Sequence, residues 1–175
     1  MNLIKTLISC GLFVAASGAA AETLWEQYLA LPTPLNAARV DRIEYSPGAI
    51  PEGYGYLESD LEILRLQITG GDAEAFRLAY RLRTHTQAGH LLEELTRLLG
   101  RAVRPQPTMF LREMKALAPP EESLRRILKM VGLEYVDRRQ AAQHEREMRR
   151  EALRSVADPA LQRMRDSCLA LLKKP

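Results

Sequence analysis

Apolar residues recur at helical spacing along almost the whole chain after residue 58. Seven helices are predicted from that rhythm. The first covers about Ser59–Thr69 and stops at Gly70-Gly71. Asp72 is placed to cap the second, about Ala73–Thr84, whose Phe76, Ala79 and Leu82 share a face. The third, about Gly89–Leu99, repeats leucine at 91, 92, 95, 98 and 99, with Gly100 as its stop. The fourth, about Pro107–Leu117, carries Phe110, Met114 and Leu117. The fifth has Pro120 in its first turn and Leu124, Ile127, Leu128 and Val131 on one side, and Gly132 closes it. Asp137 is the expected cap of the sixth, about Arg138–Val156. Asp158-Pro159 opens the seventh, which runs to about Lys173.

The chain before these helices has a different texture. Thr23 and Glu26 have capping-box spacing, so a short helix is expected from Leu24 to about Leu31. Residues 32–58 hold four prolines (32, 34, 47 and 51) and three glycines (48, 53 and 55), a composition for irregular chain broken by a short helix near Leu35–Val40. Strand signals are weak, confined to Ile43–Tyr45 and Leu133–Val136. The expected class is therefore all-α. The glycines at 70, 100 and 132 stand 30 and 32 residues apart and bound two helices each time. That suggests a short HEAT-like α-solenoid array of helical hairpins; an irregular helical bundle is the alternative.

The first 21 residues follow another pattern. Lys5 precedes a nearly unbroken apolar run from Leu7 to Ala16, and Ala19 and Ala21 form an A-x-A site. These are the three parts of a cleavable secretory signal, and the run is too short to span a membrane comfortably. The expected organisation is a signal peptide at 1–21, an N-terminal helix with an irregular Tyr/Pro/Gly loop at 22–58, and a helical domain at 59–175. A minority reading takes Leu7-Ile8-Ser9-Cys10 as a lipobox with Cys10 acylated, although the apolar run continues beyond that cysteine. Removing 21 of 175 residues leaves 154, enough for one domain with its own core. Cys10 leaves with the signal. Cys168 falls on the apolar stripe with Leu161, Met164 and Leu171, where it reads as a small buried hydrophobe.

Charge is unevenly spread. Residues 22–100 hold 12 acidic and 7 basic side chains, and residues 101–175 hold 10 and 17. Arg146, Arg150 and Arg154 form an i, i+4, i+8 row on the sixth helix. Interleaved Glu145, Glu147 and Glu151 make that row first a solvated, pair-laced face; its functional reading is an anionic partner surface or anionic lipid head groups. Export and the interleaved glutamates argue against nucleic acid. Tyr45, Tyr54 and Tyr56 lie among the loop prolines and glycines with Glu52 and Glu58 nearby. Tyrosine gives large contact area at small entropy cost, so this acidic loop, or a concave helical face, is the leading candidate for recognition, docking on a basic cleft of the partner.

Catalytic patterns are scarce. His85, His90 and His144 are the only histidines, and none has zinc-protease spacing. His90 and Glu94 share a helix face without an evident third ligand. Glu93 and Glu94 point about 100° apart and make a poor acid/base pair. No G-x-S-x-G and no phosphate loop occur. Neither cofactor nor metal is expected. The leading expectation is a periplasmic or secreted, non-enzymatic protein-binding module, immunity- or inhibitor-like, whose partner is an envelope-active toxin or hydrolase. The alternatives are a small envelope hydrolase acting on peptidoglycan or polysaccharide, and an accessory factor of a secretion or outer-membrane assembly.

Overall fold

A computed structural model describes residues 23–43, 58–86, 89–135 and 137–173. Residues 1–22, which include the expected signal peptide, and residues 44–57 of the tyrosine loop lie outside them. The described residues form nine α-helices: α1 (Leu24–Ala30), α2 (Pro34–Ile43), α3 (Glu58–Gly70), α4 (Ala73–His85), α5 (Gly89–Arg101), α6 (Pro107–Leu117), α7 (Glu121–Lys129), α8 (Arg139–Arg154) and α9 (Gln162–Lys173). Short 3₁₀ turns at Leu133–Tyr135 and Pro159–Leu161 lead into the last two. The all-α expectation holds.

Local chemistry sets several of the boundaries. Thr23 Oγ1 accepts from the Glu26 amide at 3.1 Å, while the Glu26 carboxylate accepts from the Thr23 amide at 2.7 Å, closing the capping box of α1. Asp72 Oδ1 accepts from the Glu74 and Ala75 amides at 2.9 and 3.1 Å. Asp158 Oδ1 accepts from the Ala160 amide at 2.9 Å. Between α3 and α4 the chain reverses through Gly71 at φ 99°, a conformation that favours glycine. Gln106 then donates to the Thr69 carbonyl at 3.1 Å, satisfying an acceptor at the end of α3.

Other expected boundaries shift. Pro120 stands at the N-cap of α7, one place before the first turn. Asp137 does not cap α8: Arg138 holds the cap position and makes no side-chain cap bond. The Arg138 amide instead donates to the Tyr135 carbonyl at 3.0 Å, so a backbone turn leads the chain into the helix. The described residues of the two expected strand segments are helical, and Glu44, Tyr45 and Val136 lie outside the described residues. Ile43 is the last residue of α2, and Leu133–Tyr135 turns as a 3₁₀ helix, with the Tyr135 amide on the Gly132 carbonyl at 3.1 Å.

Two helices organise the packing. Around α4 lie α2, α3, α5 and α6, and α4 is buried on several sides through Phe76, Leu78, Ala79, Tyr80 and Leu82. Around α9 lie α6, α7 and α8. Phe76 and Phe110 join α4 to α6 edge to face, with centroids 5.9 Å apart. The first glycine-bounded interval is a hairpin, α4 against α5. The second is opened out: α6 lies on α4, α8 and α9, while α7 lies on α5 and α9. The described residues thus pack as an irregular bundle.

Buried polar bridges tie these layers together. Glu113 of α6 is 2% exposed and takes a two-point contact from Arg77 of α4, at 2.6 Å from Nε and 3.1 Å from Nη2. Arg83, also buried, donates from Nε to Thr96 Oγ1 of α5 at 2.8 Å and from Nη1 to Ser123 Oγ of α7 at 2.7 Å.

Gly100, the expected stop of its helix, lies buried inside α5. Its role is close approach. A Cβ there would stand 2.5 Å from the Ile127 carbonyl oxygen and 3.0 Å from Arg149 Nη1. Neither neighbour is a free side-chain end. Gly132 likewise does not close α7, whose C-cap is Met130. Gly100→Ala is expected to lower stability by about 1–3 kcal/mol, the usual cost of overpacking. Urea unfolding measures it, and an unchanged midpoint would mean that α5 and α7 are not in this contact.

Candidate functional site

The inward face of α8 is unusual for a helix in a small domain. Its buried residues are Ala142, Glu145, Arg149 and Leu153, at i, i+3, i+7 and i+11. Two of the four are charged. Arg149 is 1% exposed. Its Nη1 donates to the Leu128 and Met130 carbonyls at 2.9 and 3.0 Å, and its Nε donates to Glu145 Oε1 at 3.1 Å. Those carbonyls belong to the last turn and cap of α7, where acceptors lack intrahelical partners and the helix dipole is negative. The guanidinium therefore serves as the cap of a neighbouring helix. Arg146 adds a longer contact, from Nε to the Lys129 carbonyl at 3.4 Å. Burial pulls the Arg149 pKa down and the Glu145 carboxylate opposes that pull. Arginine nevertheless stays charged at neutral pH.

Glu145 faces both ways. Its second oxygen, Oε2, accepts from Arg104 Nη1 at 2.8 Å. Arg104 lies in the turn after α5 and is about half exposed. Arg101, at the end of α5, approaches both oxygens of Glu134 from Nη2, at 3.3 Å each. It also acts on Glu62 of α3, whose carboxyl is held below the usual range first by its hydrogen bond with Arg65 and to a smaller extent by Arg101. These side chains, with Tyr135, Pro105 and Gly132, line an open pocket of about 350 Å³. Three guanidiniums and two carboxylates leave it one positive charge in excess. Its chemistry is that of holding an anion with oriented N–H groups.

The residues singled out from sequence have mixed placements. Tyr45, Glu52, Tyr54 and Tyr56 lie outside the described residues, and Glu58 is the first residue of α3. Arg146, Arg150 and Arg154 do share α8, but differ in state. Arg146 is half-buried on α7, Arg150 is paired with Glu147, and Arg154 is exposed. Glu145 and Arg149 have the i, i+4 order that favours a solvated pair on a helix surface; they do pair, but buried. Arg101 and Arg104 carried no sequence signal, since one ends a helix and the other lies in the turn after it rather than repeating along a helix.

The other candidate groups are occupied or separate. Arg97 donates to Glu93 at 2.9 Å and to Glu94 at 2.5 Å, so both carboxylates hold a neighbouring guanidinium. His85, His90 and His144 are exposed. Among the described residues no three His, Cys, Asp or Glu side chains gather as a metal site requires. Cys168 is buried, and burial pushes its thiol up to about 12, so it carries negligible thiolate at neutral pH. Among the described residues no helix is long and apolar enough to cross a membrane.

Arg149→Met would leave two carbonyls of α7 without their donor and Glu145 with Arg104 alone. It is expected to cost about 3–5 kcal/mol, the scale for removing one partner of a buried pair. Arg149→Lys should recover only part of this, because one ammonium cannot reproduce the planar fork. Equilibrium urea unfolding of both variants is the measurement, and equal stability of the Arg149→Met protein and wild type would contradict it.

No family model, curated protein or solved structure matches the chain.

Proposed function

We propose that this chain is an exported, non-enzymatic binding module of the cell envelope. It docks an acidic feature of a protein partner on the arginine pocket between the end of α5 and the middle of α8. The partner class is an envelope-active protein such as a toxin or hydrolase, which the module neutralises or scaffolds. The signal-like residues 1–21 support export. One observation carries the binding reading: three guanidiniums converge on one open pocket, two of them aimed by the same carboxylate, Glu145. Such side chains are ordered before a ligand arrives, which lowers the entropic cost of binding. The excess of basic residues after position 100 adds a long-range attraction for acidic partners.

Arg101 and Arg104 are each more than a third exposed, so both side chains reach solvent. The variant carrying both Arg101→Glu and Arg104→Glu is expected to lose at least tenfold in partner recovery from periplasmic extract, and Arg101→Glu alone, which leaves Glu145 both of its guanidiniums, is expected to lose recovery with a thermal midpoint near that of wild type. Undiminished recovery would sink this reading.

A further inference from the structure

The two carboxylates in the pocket are held very differently. Glu145 is nearly buried, with contacts of 2.8 Å to Arg104 and 3.1 Å to Arg149, and it belongs to the frame. Glu134 is about half exposed and meets one nitrogen of Arg101 at 3.3 Å with both oxygens. Charge-assisted N–H···O contacts are normally about 2.7–2.9 Å, so this one is slack. Exposed pairs of this kind contribute little and are screened by water and salt.

Glu134 keeps its place through Gly132. A side chain on Gly132 would collide with both carboxylate oxygens and the Cδ of Glu134, and these are the three nearest atoms. The missing side chain is the space into which this carboxylate folds. The atoms in the way are the far end of a flexible side chain, and Gly132 has no positive φ. A methyl group there should therefore push Glu134 off Arg101 rather than unfold the turn.

We propose that the pocket is a carboxylate-binding site and that Glu134 is its internal, displaceable occupant. This rests on the binding-module reading and gives it a ligand class. An incoming carboxylate takes the planar, two-oxygen position on Arg101 that Glu134 vacates, beside Tyr135 and the fixed Arg104. Displacing Glu134 raises the local excess from one positive charge to two, and the ligand's single negative charge returns it to one. A carboxylate matches the group already seated there in charge and shape. The source is an acidic side chain or a chain terminus of the partner.

The test uses the full mature chain at low salt with two synthetic peptides. One is an acetylated, amidated tetraglutamate, with side-chain carboxylates only. The other is an acetylated tetra-alanine with a free C-terminus. Inorganic phosphate is the third probe, and titration calorimetry reads affinity. At least one peptide is expected to bind more tightly than phosphate, and the one that does identifies the source. Glu134→Gln and Gly132→Ala should each strengthen that binding by about two- to fivefold, the gain from removing a competing exposed pair. Arg101→Met should abolish it. Unfolding midpoints of the Glu134→Gln and Arg101→Met proteins should match wild type. Binding unchanged in both Glu134→Gln and Gly132→Ala overturns the displaceable occupant. Phosphate binding more tightly than both peptides, or no peptide binding by wild type and Glu134→Gln alike, overturns the carboxylate site. If these fail while the Arg101→Glu/Arg104→Glu protein still loses its partner, the carboxylate inference falls and the binding-module reading stands. If that protein keeps its partner, the broader reading falls.

Discussion

Burying a guanidinium is expensive, and the second half of this molecule is arranged around one. The effective cost of removing an ion from water is several kcal/mol even after relaxation. Arg149 is compensated by a carboxylate on its own helix and by two carbonyls at the end of another. This fixes α8 against α7. It also fixes the rim of the pocket, because Glu145 spends one oxygen on Arg149 and the other on Arg104. The pocket's geometry is thus inherited from the helix cap that Arg149 makes at its inner wall. Loosening the cap should disorder the rim before it exposes the core.

Arg83 offers a contrast within the same chain. It is buried as well, but its partners are the hydroxyls of Thr96 and Ser123 rather than a carboxylate. Burial pulls its pKa down, with nearby Arg126 adding to that pull and Tyr80 opposing it. It sits near the C-terminal end of α4, where the dipole favours a cation. Hydroxyls leave a guanidinium more charge to share with the helix end than a carboxylate does. Arg83 therefore acts as a bracket among α4, α5 and α7, whereas the Arg149–Glu145 pair has a second oxygen to offer outward.

Much of the fold was legible in the sequence because its signals are local. A cap such as Asp72 or Thr23 binds amides two or three residues away, so a short window contains both partners. The leucine stripe of α5 and the face of α7 follow directly from spacing. The misreadings have non-local causes. Gly100 has the look of a helix stop, but its requirement is set by Ile127 and Arg149, far away in the chain. Apolar spacing gives this helix a thin apolar side of Ala141, Met148, Ala152 and Val156; of these only Val156, just beyond the helix, is buried, and the buried face of α8 is Ala142, Glu145, Arg149 and Leu153. Hydrophobic periodicity cannot identify a face that is half charged, since it assigns every glutamate and arginine to solvent. For the same reason the candidate pocket was invisible: Arg101 and Arg104 acquire meaning only from where α8 lands.

The contact between Gly100 and Arg149 also constrains how the sequence can drift. Position 100 has no room for a side chain while the guanidinium and the Ile127 carbonyl are where they are. A chain that lost the arginine would relax only part of that restriction, and one that gained bulk at 100 would have to part α5 from α7. The two positions should therefore change together or stay fixed together. Across diverged copies of this fold, a glycine in the last turn of one helix paired with an arginine midway along another, about fifty residues later, would be a more durable signature than any stretch of contiguous sequence.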